Sequence, residues 1–379
     1  MKKVLATILA LVMALSVTTM AWADDVAKID GTGYATLQEA VNAANNGQTI
    51  VLQSDVVLTA SLNVAVNKTV TLDLNSYKIT ADMNGPHMIC NAGNLTITDS
   101  SANKTGEIAK IGAETNFGYV IENHGTMTLD RCKISSTSVK SSAIENGWYT
   151  ASANTAGTSC TMTIQNAEVV SVNADGGLYT VKNDDYGVMV INGGVFTNSV
   201  AGAGAVLNWN DLTINGGTFT GASAVRTLKS GSSDFETGKS QIKNGTFNGG
   251  IDTLDGYKTG ITIAVTGGTF STDVTEYLAE GKILQKNGDT YTAVTNSGIT
   301  SGTYTSEPTV PSGYKATKND DGTWTVSKVS YYYYQPTTDT KTTDTKGSPK
   351  TFDAGIALYV GMALTSAAGV AFVGKKRED

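Results

Sequence analysis

Apolar and polar residues alternate along most of this chain in short phrases of three, and the phrases recur. Leu72-Asp73-Leu74, Leu95-Thr96-Ile97, Met127-Thr128-Leu129, Met162-Thr163-Ile164, Met189-Val190-Ile191, Leu212-Thr213-Ile214 and Ile263-Ala264-Val265 all read apolar, other, apolar, and Ser240-Gln241-Ile242 is a weaker copy. A period of two puts the outer residues on one face of a β-strand. Five positions after nearly every phrase comes another apolar residue: Ile79, Ile134, Val169, Phe196, Phe219, Phe247, Phe270. The phrases end at 74, 97, 129, 164, 191, 214, 242 and 265, so the steps are 23, 32, 35, 27, 23, 28 and 23. A base step near 23 with insertions is the mark of a solenoid.

A second column lies between the phrases: Ile89-Cys90-Asn91, Ile121-Glu122-Asn123, Ile144-Glu145-Asn146, Val181-Lys182-Asn183 and Val206-Leu207-Asn208. Asparagine tolerates the left-handed backbone of a sharp corner, and its amide can stack on the coil above and below. Asn91, Asn123, Asn146, Asn183 and Asn208 are therefore expected to form a ladder. Three short strands per coil predict an all-β fold, a single-stranded right-handed parallel β-helix of about eight or nine coils at about 4.8 Å each. Residues 49–270 carry it. Pro86 is the one proline before residue 308, as a ladder that needs every N–H requires. Residues 28–48 are expected to cap the first coil, with Thr36-Leu37-Gln38-Glu39 opening a short helix as a capping box. Residues 271–330 are expected to close the far end as β-hairpin modules that turn at Asn287-Gly288 and Asp321-Gly322.

Composition narrows the function. The 379 residues include 41 glycines, 5 prolines and only 16% charged residues. Net charge is -7 with three arginines, which argues against nucleic acid as a partner. Two histidines and three cysteines are too few for a zinc framework or a disulfide scaffold. Residues 1–23 read as a secretory signal: Lys2-Lys3, an apolar stretch, then Ala21-Trp22-Ala23. At the other end a threonine-rich stalk, 331–347, leads to residues 348–379. There Ser348-Pro349-Lys350-Thr351-Phe352-Asp353 precedes an uncharged run from Ala354 to Val373 and then Lys375-Lys376-Arg377. This order resembles the cell-wall sorting signals of Gram-positive surface proteins. The resemblance makes Pro349 and Thr351 the recognition residues for a sortase and Thr351 the point joined to peptidoglycan. Phe352 stands where that family has glycine, and Ser348 where it has leucine. The uncharged run is also long enough to cross a membrane as a helix, so membrane retention is the alternative anchor. Residues 28–379 as a whole resemble the pectate-lyase-like β-helix surface proteins of gut Gram-positive bacteria, which implies an extracellular, wall- or membrane-anchored protein.

Candidate chemistry follows from stacking. The residues before the ladder asparagines are expected to point outward in one column: Cys90, Glu122, Glu145, Lys182, Leu207, then Arg226 and Asp252. Glu122 over Glu145 sets two carboxylates about 4.8 Å apart, near the spacing of a retaining glycosidase pair, and like charges so close split into an acid and a base. The alternative is a solvated ladder of mixed charges, Lys182 pairing with Glu145. Polysaccharide lyases of the resembling fold use calcium-binding aspartates with a basic neighbour, which would implicate Asp184 and Asp185 with Lys182 or Arg226; no other cofactor is expected. Trp148, Tyr149, Tyr186 and Trp209 each follow a ladder asparagine by one to three residues, and His124 joins them one coil earlier. Together they predict an aromatic edge suited to sugar or protein recognition, unless they fold over their own loops. The resulting expectation is a non-catalytic adhesin that binds a glycan or host surface ligand. The alternatives are a polysaccharide lyase or glycoside hydrolase, and a structural envelope protein.

Overall fold

The structure, a computed structural model, describes residues 25–330 apart from 113–116, 138–139, 141, 149–152, 155–156, 173–178 and 230–236. The chain divides into two compact units, Met1–Val329 and Ser330–Asp379, and the description concerns the first. The expected signal (1–23), Tyr149, the stalk (331–347) and the tail with Pro349 and Thr351 lie outside the described residues.

β-Strand dominates, with one α-helix and one short 3-10 turn among the described residues. The strands form an open, mixed sheet, parallel through the middle and antiparallel at both ends. Parallel pairing runs in three series. In the first, Leu72, Ile97, Leu129, Ile164, Ile191, Ile214, Ile242 and Val265 are successive register partners. In the second they are Ile79, Ile108, Ile134, Val169, Phe196, Phe219, Phe247 and Phe270. In the third they are Ile89, Ile121, Ile144, Val181, Val206, Val225 and Ile251. All three rows are buried in one apolar cluster. Each such side chain contributes about 1.5–3 kcal/mol over an exposed one. Phe196, Phe219, Phe247 and Phe270 stack at 4.9, 5.0 and 4.9 Å.

Two details depart from the periodic reading. Ile97 pairs with Leu72, not Leu74, because the strand Thr69–Asp73 ends one residue before Leu74. Asn75 (φ 48°) and Ser76 (φ 70°) then turn left-handed, which lengthens that step. Ile108 fills the one place in the second series that the five-residue rule leaves blank, since the loop before Glu107–Lys110 displaces it.

At the start, α1 (Leu37–Ala43) buries Leu37, Ala40 and Val41, and Thr36 and Glu39 close a full capping box. Ala27–Ile29 runs antiparallel to Gln48–Leu52. At the far end Thr269–Phe270 gives way to antiparallel pairing with Thr290–Thr295, itself paired with Lys282–Asn287. A second hairpin, Tyr314–Lys318 with Trp324–Lys328, joins through Gly302–Tyr304. Gly288 and Gly322 take positive φ (60° and 84°), which glycine adopts at no steric cost.

Candidate functional site

The third series positions the chemistry. Asn91 donates its amide to Asn123 Oδ1 (2.7 Å), Asn123 to Asn146 (2.7 Å), Asn146 to Asn183 (2.8 Å) and Asn183 to Asn208 (2.8 Å). Asn208 ends the row on the Ser240 hydroxyl, 3.0 Å away. All five side chains are buried. One residue earlier, Cys90, Glu122, Glu145, Lys182, Leu207, Arg226 and Asp252 are successive register partners.

That column is not the solvated ladder expected of outward-facing residues. Glu145 is 2% exposed, Asp184 5% and Lys182 6%. The cover comes from residues four before three of the ladder asparagines, His87, Tyr119 and Tyr179, and from the turn at Asp184-Asp185. The His87 and Tyr119 rings stack at 5.1 Å. The Lys182 ammonium lies 5.7 Å from the centre of the Tyr119 ring. Tyr179 occupies the room beside Gly204, where a Cβ would fall inside its ring. The Asp185 carbonyl accepts the Trp148 N–H at 2.9 Å.

Under this cover Lys182 Nζ donates to Asp184 Oδ2 at 2.7 Å and lies 3.6 Å from Glu145 Oε1, which accepts no hydrogen bond. Burial, opposed by Lys182 and reinforced by Asp184, pushes the Glu145 carboxyl up to about 8. Burial acts to lower Lys182, but Asp184, Tyr119 and Glu145 outweigh it and hold the ammonium charged.

Glu122 is placed differently. Its side chain keeps 18% exposure, with Oε1 3.2 Å from His87 Nε2 and 3.8 Å from His124 Nε2. His87 Nδ1 accepts the Tyr119 N–H at 3.1 Å, so in the neutral ring the proton sits on Nε2 and is donated to Glu122. That tautomer leaves no lone pair on Nε2 for a metal. Burial raises the Glu122 carboxyl, opposed by a hydrogen bond from Cys90. Burial, then the neighbouring His87, lowers His124 to about 4, so it is a neutral ring at physiological pH. His124 stacks flat on the Trp148 indole, 3.7 Å between centroids and 2° between planes.

The other expected site residues make contacts of their own. Trp209 joins Tyr179, Leu207 and Leu228 in a small apolar cluster and meets Tyr257 edge-on at 6.3 Å. Tyr186 takes a left-handed turn (φ 61°) and accepts the Cys160 N–H on its carbonyl at 2.9 Å. Arg226 makes a two-pronged ion pair with Asp252, at 2.6 and 3.0 Å. The basic–acidic set expected for a calcium-dependent lyase is thus split between two ion pairs, Lys182 with Asp184 and Arg226 with Asp252. Among the described residues no group of three or more His, Cys, Asp and Glu side chains is arranged to hold a metal ion. The three cysteines form no disulfide, and burial raises the Cys90 thiol to about 11 and Cys132 to about 12.

His87 and Tyr119 were not among the sequence candidates. The signal that finds them is the place four residues before the ladder asparagine, which holds His87, Tyr119, Ser142 and Tyr179 in turn. Among the described residues no helix is long and apolar enough to cross a membrane. No family model, curated protein or solved structure matches this chain.

Proposed function

We propose that this chain is a secreted, surface-anchored, right-handed parallel β-helix of the pectate-lyase-like kind, and that it binds a glycan at Glu122, His124 and Trp148 without turning it over. Three parallel series in register, with an asparagine row at one corner, support the winding. The signal-like start and the sorting-type end support export and attachment through a sortase or a membrane helix.

One observation carries the binding reading: a stacked imidazole–indole pair stands beside Glu122, which keeps some exposure, while Glu145 is closed off behind Lys182 and Asp184. A paired aromatic surface gives a sugar ring a face to lie on, and a carboxylate beside it accepts hydroxyls. A retaining pair needs both carboxyl groups on the same glycosidic bond, and Glu145 cannot reach one. On a glycan array the mature protein is expected to bind, and Trp148→Ala to lose at least tenfold in affinity. Binding unchanged by that substitution would sink the reading.

A carbohydrate-active enzyme is the second reading, favoured by one fact: Glu145 is pushed to about 8 one rung from Glu122, the environment of an acid beside a base. Glu122→Ala and Glu145→Ala separate the two. An enzyme loses polysaccharide turnover in both variants; a binding protein has no turnover to lose. Mass spectrometry of the mature C-terminus tests attachment, with the chain expected to end at Thr351 carrying a wall fragment.

A further inference from the structure

The charges around Glu122 are unequal in reach. The lysine of this cluster, Lys182, is buried and engaged by Asp184 and Glu145. Lys110, also buried, donates to the Pro86 carbonyl at 2.6 Å. His124 is neutral, and His87 offers Glu122 one N–H. No lysine or arginine stands within ion-pair distance of Glu122 among the described residues. Elsewhere acids that are partly covered do have such partners, as Glu107 has Lys78 and Asp252 has Arg226. A largely covered carboxylate whose neighbours are two imidazoles, His87 and His124, with no lysine or arginine in reach, favours a cationic ligand: the carboxylate supplies the counter-charge, and the His124–Trp148 ring pair beside it a cation–π contact.

We infer, building on the glycan-binding reading, that the ligand at Glu122, His124 and Trp148 carries a protonated primary amine, which makes it an amino sugar with a free amine and not a uronic acid. A uronate would bring its own carboxylate toward Glu122, with no lysine or arginine within ion-pair distance of Glu122 among the described residues to receive it. An N-acetylated hexosamine would still stack on the rings but would leave Glu122 without its counter-charge. The acidic chain as a whole, at -7, draws cationic ligands in and turns polyuronates away.

The test uses the full mature chain at low and at physiological salt with three probes of equal length: a glucosamine oligomer, its fully N-acetylated counterpart and an oligogalacturonate. The glucosamine oligomer is expected to bind at least tenfold tighter than the acetylated one, and the oligogalacturonate not to bind. Glu122→Gln is expected to abolish the preference, bringing the free-amine oligomer to the level of the acetylated one. Asp255→Asn, an exposed acid far along the chain from the site, is the control and is expected to change nothing. Equal affinity for the free and acetylated oligomers, or tighter binding of the uronate, overturns this inference and leaves glycan binding standing. Equal loss in Glu122→Gln and Asp255→Asn overturns it as general charge attraction. No binding of any probe overturns both readings together.

Discussion

Asn146 shows how little freedom a residue in the third series has. Its amide donates to Asn183 Oδ1 at 2.8 Å, and its own oxygen accepts from Asn123 Nδ2 at 2.7 Å, all out of water. Removing it leaves the Asn183 oxygen without that donor and takes one acceptor from Asn123, and an orphaned buried group costs about 1–3 kcal/mol. Asn146→Ala is expected to destabilise by about 3 kcal/mol in urea unfolding. Asn215 makes a similar amide contact, to Asn192 Oδ1 at 2.7 Å, but in solvent. Asn215→Ala should cost less than about 0.5 kcal/mol. Equal losses would mean that the row is incidental to stability. Lys182 is held as tightly by charge as Asn146 is by hydrogen bonds. Its substitution would leave Asp184 buried without a counter-ion, the costly way to break such a pair.

At the scale of the element, α1 protects an edge. Gln38 on that helix accepts the Asn63 N–H at 2.8 Å and donates to the Asn63 carbonyl at 3.0 Å. Its amide thus stands in for a neighbouring strand along Leu62–Val64. Thr36→Ala removes the cap and should cost about 1 kcal/mol. Because α1 packs against Ala27–Ile29, Thr32–Tyr34 and Leu62–Val64, the loss should be local: amide hydrogen exchange rises first in 37–43 and 62–64 and stays slow near 121–123. A uniform rise across these segments would contradict the assignment. This element was legible in the sequence because a capping box is a local signal written in four consecutive residues. So was the Glu122–Glu145–Lys182 column, since apolar-x-Asn fixes both the register and the face. The cover over that column was not legible. Tyr119, the Asp184-Asp185 turn and His87 reach it from corners, and strand periodicity says nothing about the path of a corner. For the same reason Trp148 and Trp209 looked alike beside their asparagines, yet one meets His124 and the other Leu228.

For the Met1–Val329 unit as a whole, two buried groups pull stability in opposite directions with pH. The unfolded Glu145 carboxyl titrates at its ordinary 4.5 and the folded one at about 8. Between those values the folded state keeps a proton that the unfolded chain has released, so stability falls as pH rises from 4.5 to 8. His124 is the mirror case, 6.5 unfolded and about 4 folded. There the unfolded chain holds the extra proton, and stability is lost as pH falls from 6.5 to 4. Glu107 and Asp99 add to the acid side: burial works against their ionisation, but hydrogen bonds from Lys78 and Ser135, and from Ser101, Gly106 and Ser76, hold both carboxyls below the usual range. Below 6.5 the acid-side groups offset Glu145; above it Glu145 is the one of these four still titrating. The melting temperature is therefore expected to drop between pH 6.5 and 8, ahead of the buried thiols, whose ordinary value of 9.0 places their effect higher. Glu145→Gln, which mimics the protonated carboxyl, should flatten the slope between 6.5 and 8 and leave the acid limb in place. Thermal melts of both proteins at half-unit steps decide it. A slope that survives the substitution would assign the alkaline loss to another group and remove the grounds for a protonated Glu145 beside Lys182.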